Sequence, residues 1–225
     1  MDMEQLADLR VIAIDGPAGS GKSTVARLLA ERLGLRYLDT GAMYRAVAFA
    51  AIQRGVDPVD AAEVARIATD MDLRVDDAGV VVDGTDATVE IRGPEVTRAV
   101  SVVAANPDVR SELRTRQRVW ALEHGGGVIE GRDIGSVVFP DAVLKVYLTA
   151  SEEERARRRA KEMTDLAYDD VAADIARRDA ADSGRAHSPL VEASGADVVD
   201  TTGLGVDDVV DLLVSMVDGP AEGGR

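Results

Sequence analysis

Cysteine is absent from the 225-residue sequence, which excludes a disulfide framework, a thiol nucleophile and a Cys-ligated zinc site. Histidine is nearly as scarce. His124 and His187 lie far apart in the chain, so no histidine-based metal site is expected and both are read as structural or solvated. No apolar run approaches membrane-spanning length, and the N-terminus has neither the basic nor the apolar region of a signal peptide. A soluble, cytoplasmic protein with no membrane partner is therefore expected. Positive charge is also short: 26 basic against 41 acidic residues give a net charge of −15. The resulting long-range field repels polyanions, so nucleic acid is not an expected partner. Any phosphate must be held by arginines gathered locally. The length allows one or two domains, and one core with insertions is expected.

Against these absences stands Gly16-Pro17-Ala18-Gly19-Ser20-Gly21-Lys22-Ser23, a full G-x-x-x-x-G-K-[ST] phosphate loop. Its flanks suit it. Residues 9–14 read as a buried strand, and Ser23 to Leu33 places Val25, Leu28, Leu29 and Leu33 at helical spacing before Gly34. The glycines let backbone N–H groups turn inward on a β-phosphate, with Thr24 completing the ATP-binding run from Gly16. The helix N-terminus favours the anion, Lys22 reaches β/γ oxygens, and the Ser23 hydroxyl is the expected Mg²⁺ ligand.

Strand and helix then alternate, with two interruptions. A second strand is expected at 35–38, a helix from Ala42 to Arg54, helices from Pro94 to Ala105 and Pro107 to His124, strands at 128–130, 143–148 and 198–199, and a terminal helix over 206–217. Between them, Leu73 and Val75, Val80 and Val82, and Val89 and Ile91 form short β-type runs separated by turn residues, which predicts a small antiparallel meander. The second interruption is the arginine-dense stretch 155–185, entered by a helix at Ser151 with capping-box spacing to Glu154. Residues 221–225 are expected to be disordered.

The loop alone does not say what happens to the nucleotide. A GTPase would need an Asn/Thr-Lys-x-Asp segment, which is missing, and Asp200-Thr201-Thr202-Gly203 matches DxxG only by chance near the C-terminus. Val128-Ile129-Glu130-Gly131 is a poor Walker B strand, and Glu130 receives no role. A kinase acting on an alcohol gains from a carboxylate base. One acting on a phosphate monoester meets a nucleophile with a second pKa of about 6, already largely ionised, and needs arginines to bring two polyanions together. Arg45, Arg132, Arg178 and Arg185 stand in separate segments beside turn-forming or polar residues, suited to that task.

The chain resembles the bacterial cytidylate (CMP/dCMP) kinases from Val11 to about Val217. The match is carried by Ile14-Asp15-Gly16-Pro17, Leu38-Asp39-Thr40-Gly41-Ala42-Met43-Tyr44-Arg45, Ser101-Val102-Val103-Ala104, Pro107-Asp108-Val109-Arg110, the block from Glu130-Gly131-Arg132-Asp133 to Phe139-Pro140-Asp141-Ala142, and Arg178-Asp179 through Arg185-Ala186. The resemblance implies an α/β phosphate-loop fold with a five-stranded parallel sheet. It implies a single kinase domain with core 9–40, 107–150 and 188–218, a monophosphate-binding insert at 41–106 containing the meander, and a short helical lid at 151–187. It further implies γ-phosphoryl transfer from Mg·ATP to CMP or dCMP by a protein that leans to a monomer.

By the same resemblance, Ser101, Arg110 and Asp133 read the cytosine edge, Arg45, Arg132 and Arg185 clamp the acceptor phosphate with Thr40 nearby, and Arg178 and Asp182 hold the sugar. For Arg110 the alternative is a solvated stripe with Arg114 and Arg118 at i, i+4, i+8. Lys22 and Arg132 are the expected catalytic groups, joined by two of the lid arginines Arg155, Arg158 and Arg159; Arg155 and Arg159, one turn apart, are the pair chosen. Ion pairing with Glu152–Glu154 is the competing fate of these arginines. Thr40 and Glu130 stand where relatives commonly have serine and aspartate. A kinase for UMP or a sugar acid, and a nucleotide-binding regulatory module, remain as other readings.

Overall fold

The computed structural model describes residues 9–76, 78–162, 168–185 and 188–218. The expectations for His187 and for 221–225 fall outside the described residues. The chain begins with β1 (Arg10–Asp15), α1 (Lys22–Leu33), β2 (Tyr37–Asp39), α2 (Thr40–Gln53) and α3 (Ala61–Asp70). The meander strands β3 (Leu73–Asp76), β4 (Gly79–Val82) and β5 (Thr85–Asp86) follow, then a 3₁₀ turn at Glu90–Arg92, α4 (Pro94–Ala105) and α5 (Pro107–His124). The remainder is β6 (Gly126–Gly131), a π-turn at Ile134–Val138, β7 (Leu144–Thr149), α6 (Glu152–Glu162), α7 (Tyr168–Ser183), β8 (Asp197–Asp200) and α8 (Val206–Asp218).

Five strands form one sheet in the order β2-β6-β1-β7-β8, with every pairing parallel. Its central strand β1 is buried from Val11 to Asp15, as a strand covered on both faces must be. One face packs Val11, Ala13, Leu38 and Ile129 against α2, α4 and α5; the other packs Ile12, Ile14, Val128 and Val146 against α1 and α8. The alternation along β1 therefore divides two hydrophobic layers, and the loops at the carboxyl ends of the strands carry the cleft.

Several expectations needed correction. Val89 and Ile91 are not a third meander strand. The third strand is Thr85–Asp86, reached by a tight turn in which Asp83 and Gly84 have φ of 50° and 78°, and Ile91 belongs to the following 3₁₀ turn, buried against α2. Helix α2 starts earlier than Ala42 because the Asp39 carboxylate accepts from the Ala42 N–H and caps it. Helix α3, with Val64, Ile67 and Ala68 buried, was not anticipated. The Gly125–Gly127 run does not simply end α5: Gly125 closes it at φ 70°, and Gly126 and Gly127 already pair in β6. A Cβ on Gly127 would meet the Trp120 ring at 2.9 Å. His124 stacks on Trp120 and lies 2.7 Å through Nδ1 from the Trp120 carbonyl, a structural position.

Candidate active site

A cleft of about 610 Å³ opens at the carboxyl end of the sheet, between the phosphate loop, the helices α2, α4 and α5, and the helices α6 and α7. At one end lies the loop itself. Gly21 enters α1 at φ 90°, and no side chain caps the helix or places an acid in its first turn. The first N–H groups thus remain directed to the cleft, where an anion satisfies them and the helix field favours it. Backbone approach is close: a Cβ on Gly16 would sit 2.0 Å from the Leu148 carbonyl oxygen.

Lys22 is buried, its Nζ donating to the Pro17 carbonyl at 2.7 Å. Burial and the charge of Arg132 push its pKa down to about 7, against the opposing influence of Glu130 and Asp15. Such a lysine is poised for negative charge. Ser23 lines the cleft and interacts through its hydroxyl with the Glu130 carboxylate, which also accepts from the Tyr37 hydroxyl at 2.6 Å. Burial raises the Glu130 pKa, helped by Asp39 and opposed by Lys22 and Ser23. Glu130, unassigned in the sequence, is a missed site residue; its strand lacks the Asp-Glu ending that would have drawn notice.

The other end of the cleft is lined by Thr40, Arg45, Ser101, Arg110, Arg132, Asp133, Arg178, Asp182 and Arg185, so the structure brings together every acceptor-side residue expected from the sequence. They arrive from five segments: the start of α2, the end of α4, α5, the turn after β6, and α7 with the residues just beyond it. Thr40 donates to the Glu130 carbonyl at 2.6 Å. Arg45 donates to the Ile91 carbonyl and to Thr97 Oγ1, both at 3.0 Å, so the Glu90–Arg92 turn and the start of α4 orient it. Burial first, and then the charges of Arg178 and Arg159, push the Arg45 pKa down, although an arginine stays protonated in a protein.

Arg110 is not part of a solvated stripe. It is buried, paired with Asp133 at 2.5 Å, bonded to the Ala104 carbonyl and placed over the Tyr44 ring at 5.4 Å. Arg118 is likewise engaged, donating to the carbonyls of Val137 and Val138. Asp182 stands between two arginines, accepting from Arg132 Nε at 2.8 Å and from Arg185. Burial opposes its ionisation, yet Arg132 and Arg185 hold its pKa below the usual carboxylate range. Among the described residues, the Nε atoms of Arg110 and Arg185 are buried with no hydrogen-bond partner. Buried donors lacking an acceptor are costly, and a polar ligand in the cleft relieves them.

The lid arginines divide differently from the expectation. Arg159 lines the cleft, together with Arg157, Arg158 and Lys161. Arg155 does not: it turns away beneath the loop, donating to the carbonyls of Ala18 at 2.9 Å and Ala150 at 3.2 Å and pairing with Asp179. The reason is position along α6: the helix packs on Gly19 at Arg155, where a Cβ on the glycine would lie 2.9 Å from the Arg155 carbonyl oxygen, whereas Arg159 lies one turn further along the same face. The ion-pairing alternative is realised at Glu154 with Arg157 and Arg158. Only half of the capping box forms: the Glu154 N–H donates to Ser151 Oγ at 3.3 Å while its carboxylate serves those arginines. Arg158 also donates to the carbonyls of Ser20 and Thr201, which gives the Asp200–Gly203 turn a structural place beside the loop.

Comparison with known proteins identifies the family. A family model described as cytidylate kinase matches residues 12–219. A protein of Pelotomaculum thermopropionicum named cytidylate kinase is 51% identical over 216 residues, covering 92% of this chain and 95% of its own. A protein of that name from Corynebacterium glutamicum is 46% identical over 220 residues, covering 94% and 96%. A solved structure of an uncharacterized protein from Eubacterium ventriosum shares the overall fold, with a TM-score of 0.55 at 14% identity and coverage of 94% and 99%. Since the matched span holds the phosphate loop, the arginine-lined pocket and the turn after β6 that joins them, the chain belongs to the cytidylate kinase family.

Proposed function

We propose that this cleft transfers the γ-phosphoryl group of ATP to CMP or dCMP, giving CDP or dCDP and ADP. The observation that carries the reading is the continuity of one cleft from the loop to a pocket holding Ser101, the Arg110–Asp133 pair and the arginines Arg45, Arg132, Arg178 and Arg185. The loop N–H groups from Gly16 to Thr24 and Lys22 hold the donor phosphates. Arg45, Arg132 and Arg185 hold the acceptor phosphate, with Thr40 beside them; Arg178 and Asp182 take the sugar. Asp133 accepts from the exocyclic amine of cytosine, while Ser101 and Arg110 donate to its ring nitrogen and carbonyl.

No base is required, because the acceptor phosphate is the nucleophile. Its oxygen attacks the γ-phosphorus in line with the bridging oxygen that leaves on ADP, and catalysis consists of positioning and charge stabilisation. Lys22 and Arg132 meet the charge developing on the transferring group, with Arg159 from α6. Mg²⁺ suits the oxygen donors present. Magnesium is held by one or two protein oxygens plus phosphates, and the Ser23 hydroxyl beside the Glu130 carboxylate supplies that pair. When bound, the ion neutralises β/γ charge.

Residues 41–106 form the monophosphate-binding insert and 151–187 the lid of a monomeric enzyme in this reading, acting on small molecules in the cytoplasm. Among the described residues no helix is long and apolar enough to cross a membrane. The test is ADP formation from Mg·ATP with CMP, dCMP, UMP, AMP and GMP, using Lys22→Ala as control. Turnover confined to CMP and dCMP is expected. UMP or AMP as the preferred acceptor would refute the base-reading roles, and no stimulation by any monophosphate would refute the kinase reading.

A further inference from the structure

One residue of the phosphate loop, Ala18, is held from outside the loop on both its backbone polar atoms. The Ala18 N–H donates to Asp179 Oδ1 at 3.0 Å, and the Ala18 carbonyl accepts from Arg155 Nη1 at 2.9 Å. Arg155 and Asp179 also pair with each other, so α6 and α7 close a ring of charge-assisted hydrogen bonds on a single residue. Apolar packing reinforces it: Ala18 joins Ala156, Val171 and Ile175 in a small separate cluster. Neither Arg155 nor Asp179 lines the cleft, although Arg178 and Asp182, on the same helix as Asp179, do. Helix α7 therefore holds the acceptor pocket with one pair of residues and the donor loop with another.

We propose that Asp179, acting through Ala18 and together with Arg155, is a positioning residue that fixes the donor loop at a set distance from the acceptor-binding residues Arg178 and Asp182. The proposal rests on the loop being the donor site. Loop N–H groups stabilise a phosphate only while they converge, and Ala18 immediately precedes the Gly19–Lys22 arc. A loop released at Ala18 must be ordered at the moment of binding, which lowers donor affinity. Substituting Asp179 thus has its effect on the far ligand, ATP, although the residue sits on the helix that serves the near one.

The test uses the full chain carrying Asp179→Asn, Arg155→Lys, or both, with a non-hydrolysable Mg·ATP analogue and CMP titrated separately by calorimetry, and kcat and each KM measured. Asp179→Asn keeps the shape and removes the charge from two hydrogen bonds. The expected result is analogue affinity and KM for ATP weakened roughly tenfold, as for the loss of one charge-assisted bond, with CMP affinity within about twofold of wild type. The double variant is no worse than the single one, because both remove the same ring. Parallel weakening of CMP binding would mean that α7 is merely loosened and would overturn the proposal, as would unchanged donor binding or additive losses. Arg155→Lys keeps the positive charge and loses the forked geometry, so it tests the ring should Asp179→Asn not fold. A wild-type chain that binds the analogue and fails to phosphorylate CMP would refute the proposed function while leaving this comparison decisive for the loop.

Discussion

Arg110 and Asp133 form an ion pair whose side chains are 5% and 9% exposed, and the energetics of such a pair separate stability from recognition. Replacing Arg110 by Met leaves the Asp133 carboxylate buried without its cation. Breaking one side of a buried pair costs about 3–5 kcal/mol, and loss of the bond to the Ala104 carbonyl adds about 1 kcal/mol. In a chain of this size about 1 kcal/mol lowers Tm by roughly 2–4 °C, so Arg110→Met is expected to melt at least about 8 °C below wild type. Replacing both residues, Arg110→Met with Asp133→Leu, removes the orphaned charge and exchanges ionic for apolar contact. Such exchanges are often neutral or stabilising, which leaves only the Ala104 term and a Tm within about 4 °C of wild type. CMP turnover is nevertheless expected to be lost in both, with kcat/KM down at least about a hundredfold, because a pocket built to hydrogen-bond a base fails when those groups go. Thermal melts followed by circular dichroism, beside the coupled ADP assay, read both effects. A double variant as unstable as Arg110→Met, or one that still phosphorylates CMP, would refute the reasoning.

Three further outcomes follow from the same structure. Lys22, held near a pKa of about 7 by burial and Arg132, gains negative neighbours when a triphosphate is bound, so its pKa rises and a proton is taken up at pH 8 and much less at pH 6; calorimetry in buffers of different ionisation enthalpy detects this, and the same uptake in Lys22→Met would contradict it. Asp15 accepts from the Ile134 and Gly135 N–H groups at 2.8 Å, yet burial raises its pKa from 3.8 to about 6. A raised folded pKa contributes stability that is full below pH 3.8 and lost as pH passes 6; relative to Asp15→Asn, wild-type stability in urea should therefore fall by about 2.4 kcal/mol between pH 4 and pH 7, at about 1.4 kcal/mol per pKa unit, and a constant difference would exclude the linkage. Gly19→Ala places a Cβ 2.9 Å from the Arg155 carbonyl oxygen at φ +76°, for which about 1–3 kcal/mol of strain is expected together with weakened binding of the ATP analogue; unaltered binding would show that the loop relaxes.

How much was legible in the sequence depended on whether the signal was local. The phosphate loop, its flanking strand and helix, and the helices opened by Pro94 and Pro107 are written in consecutive residues: turn glycines, N-terminal prolines and helical spacing of apolar side chains. The meander was half visible. Asp83-Gly84 marks a turn, but whether Val89 and Ile91 continue as strand or coil into a 3₁₀ turn is decided by the burial of Ile91 against α2. Helix α3 was missed although Asp60 caps it, because its apolar face shows only Val64, Ile67 and Ala68.

The residues expected on the acceptor side were named through the family resemblance, since no local pattern distinguishes Arg45 or Arg178 from a surface arginine; the structure brings them into one cleft. Their long-range partnerships were beyond reach: Asp182 and Arg185 are local at i,i+3, but that Asp182 also pairs with Arg132 depends on α7 lying across the turn after β6. Arg155 was the clearest failure. Arg155, Arg157, Arg158 and Arg159 are nearly equivalent as sequence, and their fates are separated only by which side of α6 meets the loop.

The sequence by itself determined that a triphosphate is bound, because anion binding by a glycine-rich turn at a helix start is a property of adjacent residues, and that the acceptor pocket would be rich in arginine. Which arginines line the cleft and which turn away to hold the loop was decided by tertiary structure alone. Side-chain direction follows from packing: α6 against Gly19 sends Arg155 to Ala18 and Asp179 and leaves Arg159 to the cleft. Charges of identical chemistry thus acquire different roles from burial and from the partners that the fold brings within reach.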